Sequence, residues 1–173
     1  MKKIFLSVIL LVLTSCVTSK ITSNKSPNFN EKIEKLFIMV KGSDSTKPFF
    51  QSFVVEFRKN LNEKNIESKS HYFSPLSLES ENEIDEKISN YNPKLIMMIN
   101  QTESRQTINN NGFGWGNTGL NTGGTFDVKI FQPDSKNPVW RANLKADGQF
   151  GLETSAKKAV EKLIEKLIED KLL

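Results

Sequence analysis

The sequence is poor in the residues that build disulfides and metal sites. Its 173 residues include one cysteine and one histidine. A single cysteine excludes an intrachain disulfide, and one of each excludes a zinc site made from several such ligands. Charge of one sign is scarce too. The 24 Lys and Arg stand against 20 Asp and Glu, a formal net charge of +4. That excess is too small for the electrostatic footprint of a nucleic-acid binder. Hydrophobic residues make up 37%, aromatics 9% and charged residues 25%, which argues against collagen, a disulfide scaffold and wholesale disorder. No apolar run approaches the roughly 20 residues of a membrane-spanning helix. The length suits one domain, or one domain with a tail.

What is present begins at the amino terminus. Met1-Lys2-Lys3 is a short positive start, and residues 4–13 are apolar except for Ser7. Such a helix is roughly 15 Å long, half the ~30 Å hydrocarbon core, and fits the apolar region of an export signal. Leu13-Thr14-Ser15-Cys16 comes directly after it. This stretch resembles the lipobox of bacterial lipoproteins, in which the cysteine is acylated and becomes the first mature residue. Acylation at Cys16 also removes a thiol that would be reactive in an oxidising compartment, and several acyl chains on one residue anchor stably where one is marginal. Residue 17 is Val rather than Asp. In the sorting rule of enterobacterial lipoproteins that implies delivery to the outer membrane, facing the periplasm. Loss of residues 1–15 removes Lys2 and Lys3, leaving 22 basic groups against 20 acidic ones.

Three segments are expected: a signal peptide at 1–15, the lipidated Cys16 with a flexible tether at 16–30, and one globular domain at 31–173. The tether is polar, without a sustained apolar period, and as a coil it would span roughly 20 Å. The domain is long enough to bury about two-thirds of its unfolded surface without disulfides. Residues 36–40, Leu-Phe-Ile-Met-Val, read as a buried strand. Phe49, Phe50, Phe53, Val54, Phe57 and Leu61 recur at steps of three and four, the stripe of a helix running to about residue 64. Asp44, Ser45 and Thr46 offer capping oxygens before it, and Asn65 a left-handed stop. Residues 66–73 form a weaker, edge-like strand. Ser80 and Glu83 make a capping box for a short helix, with Glu83 and Lys87 a favourable pair. Residues 95–99 read as a central strand. Residues 125–131 and 139–146 alternate around a turn-rich loop and form a hairpin. Thr154 or Ser155 caps a last amphipathic helix. The expected fold is α/β or α+β: one mixed sheet of about five strands with three helices packed on it, in the order β-α-β-α-β-β-β-α.

In outline this arrangement resembles small periplasmic domains of envelope lipoproteins, such as penicillin-binding-protein activators, the amino-terminal domain of the Tol translocation protein and lipoproteins of unknown function. The likeness rests on the strands at 36–40 and 95–99 and on Pro138-Val139-Trp140-Arg141-Ala142 before the last helix. It implies a non-enzymatic envelope role and transfers no site residues.

Six of the nine glycines fall between 112 and 124. Gly114, Gly116 and Gly119 spell G-x-G-x-x-G, but the dinucleotide motif needs a preceding strand and a succeeding helix. Asn and Thr with further Gly come next instead, then a strand pattern, so no nucleotide site is expected. Two readings of this segment stay open. Phe113 and Trp115 are anchors of a partner-binding loop, or the segment is a flexible connection whose aromatics fold back on the sheet. His71 has no second histidine or nucleophile in a recognisable pattern. Glu161, Glu165 and Glu169 lie on a solvent face, and no carboxylate pair suits acid–base work.

The sequence therefore predicts a lipid-anchored envelope protein that binds or helps to assemble other components, without catalysis and without a cofactor. Its expected partners are the membrane, through acylated Cys16, and another envelope protein or a cell-wall component; nucleic acid is not expected. The alternatives are an envelope hydrolase with a scattered site, or a subunit of a membrane-associated assembly that uses the glycine-rich loop or a sheet edge as its contact.

Overall fold

The computed structural model describes residues 19–74, 77–108, 120–146 and 151–173, the side chains of 104–108 and 120–123 excepted. Among the described residues six strands form one mixed sheet. They are β1 (Lys20–Lys25), β2 (Lys35–Lys41), β3 (Glu67–Phe73), β4 (Leu95–Ile108), β5 (Leu120–Phe131) and β6 (Trp140–Ala146). Their spatial order is β1-β6-β5-β4-β2-β3. The strands β2, β3 and β4 are parallel, whereas β5, β6 and β1 each run antiparallel to their neighbour. Among the described residues three α-helices complete the fold: α1 (Lys47–Asn62), α2 (Glu81–Tyr91) and α3 (Leu152–Glu169). The expected mixed sheet with three helices is present, and the fold is α+β.

The sixth strand corrects the expected tether. Residues 20–25 pair along their whole length with β6, Lys20 opposite Lys145 and Lys25 opposite Trp140. Only Ile21 in this strand is apolar, so its sequence carries no alternation, and backbone pairing on the well-patterned β6 decides the outcome. The chain stays ordered beyond it: Ser26 donates to the Val139 carbonyl and Phe29 is buried. The folded body thus includes residues 19–30, which the sequence reads as tether.

Topology places the helices. The β2–α1–β3 crossover moves outward to the edge, whereas β3–α2–β4 moves back past β2. Two crossovers of the same hand running in opposite directions put their helices on opposite faces. Accordingly α1 lies on one face with α3 beside it. The core fills that side. Phe49, Phe50, Phe53, Phe57 and Leu61 of α1 are buried, as are Ala156, Ala159, Val160, Leu163, Ile164 and Leu167 of α3. They meet Leu36, Ile38, Val40, Met97, Ile99, Phe126, Val128, Ile130, Trp140 and Leu144 from the sheet. Phe49 stacks on Phe126 at 5.1 Å with 6° between the rings. Gly42 permits the tight entry to α1, because a Cβ there would lie 2.5 Å from the Phe50 ring. On the far face α2 buries no residue, and its Tyr91 ring stands 5.8 Å from Phe37.

Local signals were mixed. The capping box of Ser80 and Glu83 is formed, and Asn65 and Asn92 take the positive φ values of 61° and 48° expected of left-handed stops. Lys87, however, pairs with Glu79 rather than Glu83, whose carboxylate is held by Ser80. Helix α3 starts after Gly151, and its first turn closes through the Ser155 amide on the Gly151 carbonyl, so neither Thr154 nor Ser155 caps it. No side chain caps α1 either. Instead Gln101 Oε1 accepts from Thr46 Oγ1 at 2.9 Å and from the Ser43 amide at 3.1 Å, tying the entry to β4.

Candidate functional site

Alternation along β5 and β6 turns one set of side chains to the core and the other to the opposite face. Phe126, Val128, Ile130, Trp140, Ala142 and Leu144 face inward and are buried. Asp127, Lys129, Arg141, Asn143 and Lys145 face outward, joined by Lys20, Thr22 and Asn24 of β1. In register, Thr22 lies beside Asn143, which lies beside Asp127; Asn24 lies beside Arg141, which lies beside Lys129. Among the described residues no helix covers this half of the sheet. A shallow cavity of about 330 Å³ runs over it, lined by Thr22, Asn24, Thr102, Asp127, Arg141 and Asn143. A register shift in β4 between Gln101 and Glu103 forms one wall, where Thr102 Oγ1 donates to the Thr125 carbonyl at 3.0 Å.

Asp127 is the centre of this face. Its side chain is 10% exposed, whereas that of Arg141 is 62% exposed. Arg141 Nε and Nη2 donate to its two oxygens at 2.7 and 3.2 Å, a bidentate pair. Lys129 Nζ lies 3.0 Å from Oδ2. Burial pushes the Asp127 carboxyl up, but the hydrogen bonds from Arg141 and Lys129 outweigh it and hold the group below the usual carboxylate range. The carboxylate is therefore ionised at neutral pH and already bonded to two cations. Arg141 and Lys129 are thereby held as fixed donors on this face. A proton shuttle would need a group poised near the working pH.

A second cluster sits at the end of β3. His71 Nε2 is 2.7 Å from Glu79 Oε2, and Lys87 binds Oε1. Glu79 is held below the usual carboxylate range by the Lys87 hydrogen bond first and by His71 second. Ser77 Oγ bonds the same carboxylate oxygen at 3.4 Å. Hydroxyl and imidazole thus converge on the acid, which is not the order of a nucleophile–base–acid relay. On the core side, Asp170 Oδ2 accepts from Ser23 Oγ at 2.6 Å and from Trp140 Nε1 at 2.7 Å. Burial pushes Asp170 up, and the Ser23 and Trp140 bonds more than reverse it. Among the described residues no group of three metal-ligating side chains forms, and no helix is long and apolar enough to cross a membrane.

Of the residues singled out from sequence, Cys16, Phe113 and Trp115 lie outside the described residues. Strand β5 begins at Leu120, directly after Gly119, so the G-x-G-x-x-G match lacks its helix. Sequence reasoning missed Asp127 and Arg141. Their signal was present, as opposite charges on the non-core positions of two strands joined as a hairpin. Asp170 gave no signal, because its partners come from β1 and β6, more than a hundred and about thirty residues away.

No family model matches this chain, and no curated protein matches it in sequence. Solved structures do match in shape. The chain is similar to the PelC dodecamer from Paraburkholderia phytofirmans at 12% identity and a TM-score of 0.57, covering 84% of this chain and 95% of that one. Lipoprotein GNA1162 from Neisseria meningitidis matches at 8% identity and a TM-score of 0.43, covering 78% of this chain and 98% of that one. A minor lipoprotein from Acinetobacter baumannii gives 8% and 0.41, covering 81% of this chain and 96% of that one. The PelC match shows a shared fold.

Proposed function

We propose that this chain is a lipid-anchored cell-envelope protein, held at the outer membrane and facing the periplasm through acylated Cys16, whose domain works by binding or assembly and without catalysis. The observation that carries the reading is the uncovered half of the sheet, a broad polar face with a carboxylate and two cations already locked together. Buried titratable groups here serve recognition and packing, which suits a binding surface. The shared fold with a protein described as a dodecamer supports the assembly form of the reading. The loop bearing Phe113 and Trp115 remains the candidate partner contact. It joins β4 to β5, whose last paired residues are Ile108 and Leu120, at the same end of the sheet as Lys20.

The anchor and the domain are close together. With β1 starting at Lys20, only Val17, Thr18 and Ser19 separate it from Cys16. Four residue steps reach at most about 14 Å. On this reading the body rests at the bilayer surface.

Cell fractionation with mass spectrometry of the mature amino terminus tests the anchor. Native protein is expected in the outer-membrane fraction with an acylated residue 16, and the Cys16→Ser form in the soluble fraction. A bare thiol, or unchanged fractionation of the serine form, overturns it. Crosslinking from membranes tests the role: capture of an envelope component, or of further copies, supports it. Hydrolysis of an envelope substrate by the purified chain would favour the enzyme instead.

A further inference from the structure

Two small surfaces of this chain each carry like charges side by side. On the uncovered sheet face Lys20 of β1 stands directly opposite Lys145 of β6. Both are exposed, and neither has an ion-pair partner among the described residues. Like charges directly opposite on paired strands destabilise the pair. The comparison further along the face is instructive. Arg141 and Lys129 also stand opposite each other, but Asp127 bonds both. Among the described residues no carboxylate bonds Lys20 or Lys145; Glu103, in the same row across Thr125, accepts from the Thr125 hydroxyl instead.

Helix α2 shows the converse. Glu81 and Asp85 are exposed and four residues apart, a like-charge spacing that also costs stability. Neither is paired among the described residues. Lys87 is taken by Glu79. The two spacings match: side chains four apart on a helix are roughly 5–6 Å apart at Cβ, and opposed residues on antiparallel strands about 4.5–5.5 Å apart.

The two surfaces cannot meet within one molecule. Helix α2 packs through Tyr91 on Phe37 of β2, and β2 is four strand positions from β1, about 19 Å at the usual spacing. We propose that α2 of one copy docks on the β1–β6 face of the next, with Glu81 and Asp85 paired to Lys20 and Lys145. Donor and acceptor surfaces differ, so the contact is head-to-tail and extends to a ring or a chain of copies. This rests on the assembly reading above and names its contact. An anionic bilayer is the other occupant that a basic face admits. The matched spacing of the two acidic side chains on α2 favours the second copy, and vesicle binding is the opposing outcome of the test.

The test is sedimentation of the full-length, detergent-extracted protein at low and high salt. Native protein is expected to form oligomers that dissociate as salt rises. The reversals Lys20→Glu with Lys145→Glu, or Glu81→Lys with Asp85→Lys, are expected to weaken association at least about tenfold. The sheet reversal exchanges one like-charge pair for another, so its thermal unfolding should barely move, whereas Glu81→Lys puts a cation in the first turn of α2 and weakens that helix slightly. Combining all four reversals restores the oligomer. A monomeric native protein, reversals without effect, or failure of the combined form to reassociate while still folded, overturns the proposal. So does binding of a monomer to anionic vesicles through Lys20 and Lys145. Membrane fractionation through Cys16 and capture of other components are read separately, so failure of this contact is distinct from failure of the envelope role.

Discussion

Helices α1 and α2 perform the same topological task, each carrying the chain between parallel strands, yet they are held in opposite ways. Helix α1 buries four phenylalanines and a leucine and has no side-chain cap. Helix α2 buries nothing but carries a complete capping box at one end and a left-handed Asn92 at the other. Tertiary packing and local signals substitute for one another. Where the core supplies several kcal/mol, the ends of a helix need little. Where a helix lies alone on the far face, its own sequence must stop it fraying. The difference also divides the sheet: the α1–α3 side holds the core, and the α2 side with the bare half of the sheet buries little.

The sharpest way to break this comparison is to truncate equivalent positions. Phe57 is fully buried, and Phe57→Ala is expected to lower stability by about 3–5 kcal/mol. Ile88 on the inner side of α2 is only half-buried, so Ile88→Ala should cost about 1 kcal/mol or less. Urea unfolding at neutral pH measures both. Equal losses would mean that α2 belongs to the cooperative core and the division is wrong.

A middle-sized effect separates two carboxylates, one on each side of the sheet. Asp170 joins β1, β6 and α3 through Ser23, Trp140 and Lys166. Asp170→Ala leaves the Trp140 indole without its acceptor and should cost about 1–3 kcal/mol, with faster hydrogen exchange across β1. Asp127 on the bare face is held by Arg141 and Lys129. Both carboxyls are depressed in the folded state. Their stabilisation is therefore fully present above the ordinary carboxylate value of about 3.9 and is lost as pH falls through the lower folded values. Melting temperature should fall as pH drops below about 4, and less steeply in Asp170→Asn than in the native chain. A native profile flat from pH 6 to 2 would show that these bonds do not set the acid limit.

What the sequence revealed obeys the same divide. Elements with a buried face were legible, because burial imposes a period: the stripe of α1, the alternation of β5 and β6, and the run at the start of β4. Elements held by backbone pairing were not. Residues 20–25 hold one half-buried apolar side chain and read as tether, yet they complete the sheet. Beyond Glu103, β4 is polar and its partner segment is rich in glycine, so a hairpin arm paired from Ser104 opposite Gly124 to Ile108 opposite Leu120 resembled loop. Of the candidate face, the hairpin pattern held the signal for Asp127 and Arg141 as opposite charges on its non-core positions, but it did not single them out. Lys20 and its place beside Lys145 required the strand that the pattern concealed.

The smallest effect tests the idea at its root. The Ser80 hydroxyl accepts from the Glu83 amide at 3.3 Å, and Glu83 Oε2 accepts from the Ser80 amide at 2.7 Å. Ser80→Ala removes half of this box and should cost the helix about 1 kcal/mol. Global unfolding measures that loss only if α2 unfolds with the rest. Because α2 buries no side chain, it should open on its own, below the free energy of the whole domain. Exchange of the α2 amides should then quicken about fivefold in Ser80→Ala, while amides of β5 and α3 keep their native rates. If core amides quicken with them, α2 is part of one cooperative unit and its cap supports the entire fold. If only α2 responds, the helix that carries Glu81 and Asp85 is an independently mobile element, and what it docks against sets how often it is closed.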